Sequence, residues 1–114
     1  MSWFLGHTRL VILRREVVVE DDGMGSPIYG TTETPVRGEL VPLGGEESTA
    51  AQQQVVTRFR AFLPPTYGGL GVPKPTDALK DPEGLKYEVK GQPEPHRLGG
   101  RVHHWELIVE RVTG

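Results

Sequence analysis

Arg101-Val102-His103-His104-Trp105-Glu106-Leu107-Ile108-Val109-Glu110-Arg111-Val112 decides the fold. It runs twelve residues without glycine or proline and alternates with a period of two. Trp105, Leu107 and Val109 fall on one face with His103 and Arg111, while His104, Glu106, Ile108 and Glu110 fall on the other. That is the pattern of a half-buried β-strand, in which successive side chains point to opposite faces. Leu85 to Lys90 repeats it, with Leu85, Tyr87 and Val89 inward and Lys86, Glu88 and Lys90 outward. Val55 to Leu63 does so again: Val55, Thr57, Phe59, Ala61 and Leu63 oppose Val56, Arg58, Arg60 and Phe62.

Upstream, Thr8 to Glu20 is rich in β-branched residues and reads as a long first strand. Asp21-Asp22-Gly23-Met24-Gly25-Ser26-Pro27 supplies the chemistry of a hairpin connection. A second strand follows over about Ile28 to Val41, with Pro35 marking an edge position or a bulge. Pro42 to Gln54 is expected to be a loop, with about two turns of helix possible over Glu46 to Gln54. Thr66 to Pro75 is a second loop, Thr76 to Leu79 a short element, and Gly91 to Gly100 a further loop. Five or six strands and at most one short helix give an all-β domain, a sandwich or a small β-barrel, with two long loops. The barrel removes exposed edges. The expected core is Leu10, Ile12, Phe59, Leu85, Tyr87, Val89, Trp105, Leu107 and Val109.

The 114 residues fit a single domain, 1–114. Leu, Ile, Val and Phe make up about a quarter of the chain, enough for a packed core. With no cysteine, disulfides, thiol nucleophiles and cysteine-held metals are excluded. No apolar run approaches a membrane span or a leader, so synthesis in the cytoplasm and no membrane partner are expected. The net charge of −2 conceals an acidic middle, where Arg37 stands against Asp21, Asp22, Glu33, Glu39, Glu46 and Glu47. No Lys/Arg stripe of the kind that clamps duplex DNA is present.

No constellation specifies an enzyme. Ser2, Ser26 and Ser48 lie outside any nucleophile elbow. Gly69-Leu70-Gly71-Val72-Pro73-Lys74 lacks the Gly-Lys-Ser/Thr of a phosphate loop. His103 and His104, as strand neighbours, are expected on opposite faces. His104 and Glu106 share a face and could hold a metal with a third ligand such as His96; the better reading is a solvated pair, and no catalytic residue, metal or cofactor is expected. Arg58, Arg60, Phe62 and Tyr67 are candidates for a partner-facing surface. Through Arg58, Arg60 and Phe62, a single-strand-binding barrel of the oligonucleotide-binding type is the alternative function. A hydrolase centred on His104 and Glu106 ranks below both.

Four segments in order carry a resemblance: Phe62-Leu63-Pro64-Pro65, Thr76-Asp77-Ala78-Leu79, Gly84-Leu85-Lys86-Tyr87-Glu88-Val89-Lys90-Gly91-Gln92-Pro93, and His104 to Val112. From about Val55 onward the chain resembles the head-to-tail stopper proteins of long-tailed bacteriophages, also called head-closure or head-completion proteins. The first half is similar in layout only. The resemblance implies a small β-barrel that assembles with its own copies into a ring of twelvefold symmetry. The ring sits at the head–tail junction of the virion, below the portal and adaptor proteins and above the tail terminator. It also implies that the loop between the second and third strands projects into the channel and retains packaged DNA without sequence preference. That loop maps to Leu43-Gly44-Gly45-Glu46-Glu47-Ser48-Thr49-Ala50-Ala51-Gln52-Gln53-Gln54. It carries no Lys or Arg, and Glu46-Glu47 would repel phosphates. The Pro/Gly-rich Tyr67 to Pro75 departs from the family layout and is the second candidate for lining the channel.

Overall fold

Alternation continues through most of the chain and produces six strands. The computed structural model describes residues 8–19, 23, 25–49 and 54–113. The strands are β1 (Thr8–Val19), β2 (Ile28–Thr49), β3 (Gln54–Leu63), β4 (Ala78–Lys80), β5 (Lys86–Leu98) and β6 (Arg101–Thr113), with one 3-10 turn at Tyr67–Gly69. They close into a barrel in the order β1-β2-β3-β6-β5-β4, with every neighbouring pair antiparallel. Three-residue β4 completes it, pairing Ile12 with Leu79 on one side and Leu79 with Tyr87 on the other.

Inward residues of all six strands meet at the centre. Leu10, Ile12, Val36, Ala61, Leu63, Leu79, Tyr87, Val89, Trp105, Leu107 and Val109 are buried there. Phe59 is partly buried and packs edge-on against Tyr87, with ring centroids 5.2 Å apart. Leu85 does not join the core. It precedes β5 in a turn capped by Asp81, whose Oδ1 accepts the Glu83 and Leu85 amides, and its side chain stays exposed. Pro35 lies opposite Val11, on a stretch where β2 pairs with β1 alone, the edge-type position at which a strand accommodates proline. At Gly38, where β2 turns from β1 towards β3, a Cβ would run into the Phe62 carbonyl oxygen and stand 2.8 Å from Leu63 Cδ2.

Two segments read as loops are strand. β2 continues through Thr49, with Glu46, Glu47, Ser48 and Thr49 opposite Thr57, Val56, Val55 and Gln54; where two turns of helix were possible, Glu46 to Thr49 and Gln54 are strand, and residues 50–53 lie outside the described residues. β5 likewise continues to Leu98, which pairs with Arg101 across Gly99 and Gly100. Both of these glycines have positive φ, as a two-residue hairpin turn of the primed type requires. The same device carries both extensions: three residues bulge opposite one, Leu43-Gly44-Gly45 on β2 and Gly91-Gln92-Pro93 on β5, with Gly44 and Gly91 at positive φ. The extended strands stretch the molecule, whose radius of gyration of 15.9 Å exceeds the roughly 13 Å of a compact chain this long.

Candidate functional site

The β2–β3 arm is the first feature. β3 holds it on both sides, pairing Val55 to Thr57 with β6 and Gln54 to Thr57 with β2. Leu43 to Gln54 is therefore strand at both of its ends, not a loop anchored only at the barrel. Val41 and Leu43, near the base of the arm, are exposed apolar residues. A second exposed apolar group, Val17, Ile28 and Tyr29, lies at the far end of the β1–β2 pair.

The outer face of β3, β6 and β5 is the second feature. Register places Arg58 opposite Glu110, Phe62 opposite Glu106, and His104 opposite His96. Arg58 Nε donates to Glu110 Oε2 at 2.9 Å, and Arg60 Nε lies 2.5 Å from Glu106 Oε1. Phe62 is partly buried against the His104 ring, with centroids 5.7 Å apart. Both arginines thus carry carboxylates on the same face, which lowers the net positive charge available to a nucleic-acid backbone.

Histidines gather at the end of this face. His96 and His104 stack with centroids 4.7 Å apart and planes 9° off parallel. His96 Nε2 lies 2.6 Å from Glu106 Oε2. His103 and His104 do not point fully apart: their Nδ1 atoms are 2.9 Å apart. The ladder explains this, because His96 pairs with His104 and Arg97 with Val102, leaving His103 as the extra residue of a bulge. Burial pulls the His104 imidazole pKa below its ordinary value, and neighbouring His96 and His103 add to this against the pull of Glu106. Strict alternation hides the bulge; His96, the third residue considered beside His104 and Glu106, is placed against them by the cross-strand register, which also brings in His103.

Tyr67 is a correction to the partner-facing set. It is fully buried, with φ +49°, and its hydroxyl donates to Asp77 Oδ2 at 2.9 Å. Arg14 completes the cluster through Nε to Asp77 Oδ1 at 3.1 Å, Nη2 to Asp77 Oδ2 at 2.9 Å, and Nη2 to the Val72 carbonyl at 2.8 Å. Burial raises the Asp77 carboxyl pKa, but hydrogen bonds from Arg14, the Lys74 amide and Tyr67 outweigh it and hold the group below its ordinary value. Burial, followed by the charge of Asp77, pushes the Tyr67 phenol well above its own. The segment from Tyr67 to Pro75 is thereby tied back onto the barrel, in a manner that suits a structural clamp.

No protein-family model and no curated protein matches the chain. Among solved structures it is similar to a chain in the virion of a native gene transfer agent particle. The two superpose with a TM-score of 0.67 at 15% identity, over 92% of this chain and 93% of that one. The likeness extends across the whole barrel and establishes a shared fold.

Proposed function

We propose that the chain is a structural, non-enzymatic protein of a phage-type virion. It forms a ring of its own copies at the neck, closing the DNA channel below the portal and adaptor and presenting a surface to the tail. The observation that carries this reading is the whole-length fold match to a chain of a virion. Three features support the finer part of it. From Val55 onward the sequence resembles phage stopper proteins. The β2–β3 arm provides an extension with Glu46 and Glu47 in its strand. Exposed Val17, Ile28, Tyr29, Val41 and Leu43 give the barrel apolar surface that neighbouring copies can cover.

Projected towards a common axis, the arms would line a channel with acidic residues. Such a wall obstructs DNA without adhering to it, because like charges repel across the narrow gap. The oligonucleotide-binding alternative gains nothing from the structure, since Arg58 and Arg60 pair with Glu110 and Glu106.

Deleting Glu46 to Gln53 tests the gate. The shortened protein is expected to fold and join the particle, and filled heads carrying it are expected to lose their DNA. Heads that retain DNA as wild type does would remove the arm from this role and turn attention to Tyr67 to Pro75.

A further inference from the structure

We propose that His96, His104 and Glu106 form a site for a first-row divalent cation of the zinc class, which staples β5 to β6 on the outer face of the barrel. One ligand atom from each of the three lies within 4.8 Å of the other two. A tetrahedral ion with bonds near 2.0–2.1 Å needs its ligand atoms about 3.3 Å apart. His96 Nε2 and Glu106 Oε2, at 2.6 Å, have to separate by less than 1 Å, and the His104 nitrogen has to close in by at most about 1.5 Å. Side-chain rotation suffices for both, because His96 is exposed and the other two are only partly buried.

The surroundings hold each ligand in place. Glu106 uses Oε1 for Arg60, which fixes the carboxylate plane and leaves Oε2 on the side of His96. The His103 and His104 Nδ1 atoms, 2.9 Å apart, require one N–H and one lone pair. When His104 is the donor, its Nε2 carries the lone pair that a metal takes, and His103 acts as the outer partner that ligating imidazoles ordinarily have. Phe62 backs the His104 ring. Two imidazole nitrogens and one carboxylate suit zinc, nickel or copper over magnesium or calcium, with water completing the coordination. The expected absence of metal rests on the lack of cysteine and on His103 and His104 facing apart; the bulge at His103 and the pairing of His96 with His104 remove the second ground, and a site of imidazole and carboxylate needs no thiolate.

Zinc chloride titrated calorimetrically into the full chain, free of any tag and stripped with a chelator, tests the site. One zinc ion per chain at micromolar affinity is expected, together with a rise in melting temperature. His96→Ala, His104→Ala and the shape-preserving Glu106→Gln are each expected to weaken binding at least about tenfold. His7→Ala should bind as wild type does. Circular dichroism identifies any variant that fails to fold, and the remaining variants then decide. Absence of saturable binding, equal binding by the folded variants, or loss of binding in His7→Ala would each overturn the proposal.

Discussion

Arg14 on β1 and Asp77 just before β4 meet inside the barrel, with Nη2 2.9 Å from Oδ2 and the carboxylate wholly shielded from water. The pair spans 63 residues of sequence and also holds Tyr67, the Lys74 amide and the Val72 carbonyl. It converts a Pro/Gly-rich segment, which has little to pack with, into part of the barrel wall.

Asp77→Ala leaves the Arg14 guanidinium buried without its counter-charge and is expected to destabilise the fold by about 3–5 kcal/mol in urea denaturation. Arg14→Met combined with Asp77→Leu is expected to lose less than Asp77→Ala, because no charge is then stranded. If Asp77→Ala lost under about 1 kcal/mol, the clamp would not hold the segment.

The same pair sets an acid limit. The folded-state pKa of Asp77 is depressed, so its contribution is complete above the ordinary carboxylate value near 3.9 and is lost as pH falls through the folded value. Stability measured from pH 6 down to pH 2 should therefore decline less steeply in Asp77→Asn than in wild type. Parallel profiles would show that Asp77 does not drive the acid transition.

Gly38→Ala is expected to lose about 3 kcal/mol or more, since the new methyl meets the Phe62 carbonyl as well as a side chain. Leu98→Ala, at a side chain that stands in solvent on β5, serves as the control and should change the melting temperature little. A tolerated Gly38→Ala would mean that β2 and β3 do not approach as closely as described.

Trp105 is buried, and its indole N–H donates to the Pro65 carbonyl at 3.1 Å. Trp105→Ala is expected to lose about 3–5 kcal/mol. Trp105→Phe, which keeps most of the apolar bulk, should lose less, with about 1 kcal/mol of that from the hydrogen bond. A loss below about 1 kcal/mol for Trp105→Ala would place the indole outside the core.

Local pattern made the barrel readable wherever one face is buried. Leu107 and Val109 on β6, and Tyr87 and Val89 on β5, declare themselves because every second residue meets the core. The arms escaped because Leu43-Gly44-Gly45 and Gly91-Gln92-Pro93 look like loop chemistry, yet each is a bulge after which pairing resumes. Beyond the β5 bulge, Glu94 to Leu98 are all exposed and leave no period to read. Tyr67 was placed on the surface because its burial depends on Arg14 and Asp77, and no spacing within the segment reports a partner so far away. The histidine cluster is legible except at His103: His104 and Glu106 sit two apart and His96 is the third residue considered, whereas the approach of His103 to His104 follows from a bulge that only register shows.

Locating the chain in the assembled particle tests the neck assignment most directly. An electron-microscopic reconstruction of the virion that encodes it, carried out without imposed symmetry, should show copies of this barrel as a ring between portal and tail, with the β2–β3 arms directed at the channel axis. Finding the barrel in the capsid shell or the tail tube, or finding it absent from purified particles, would contradict the assignment.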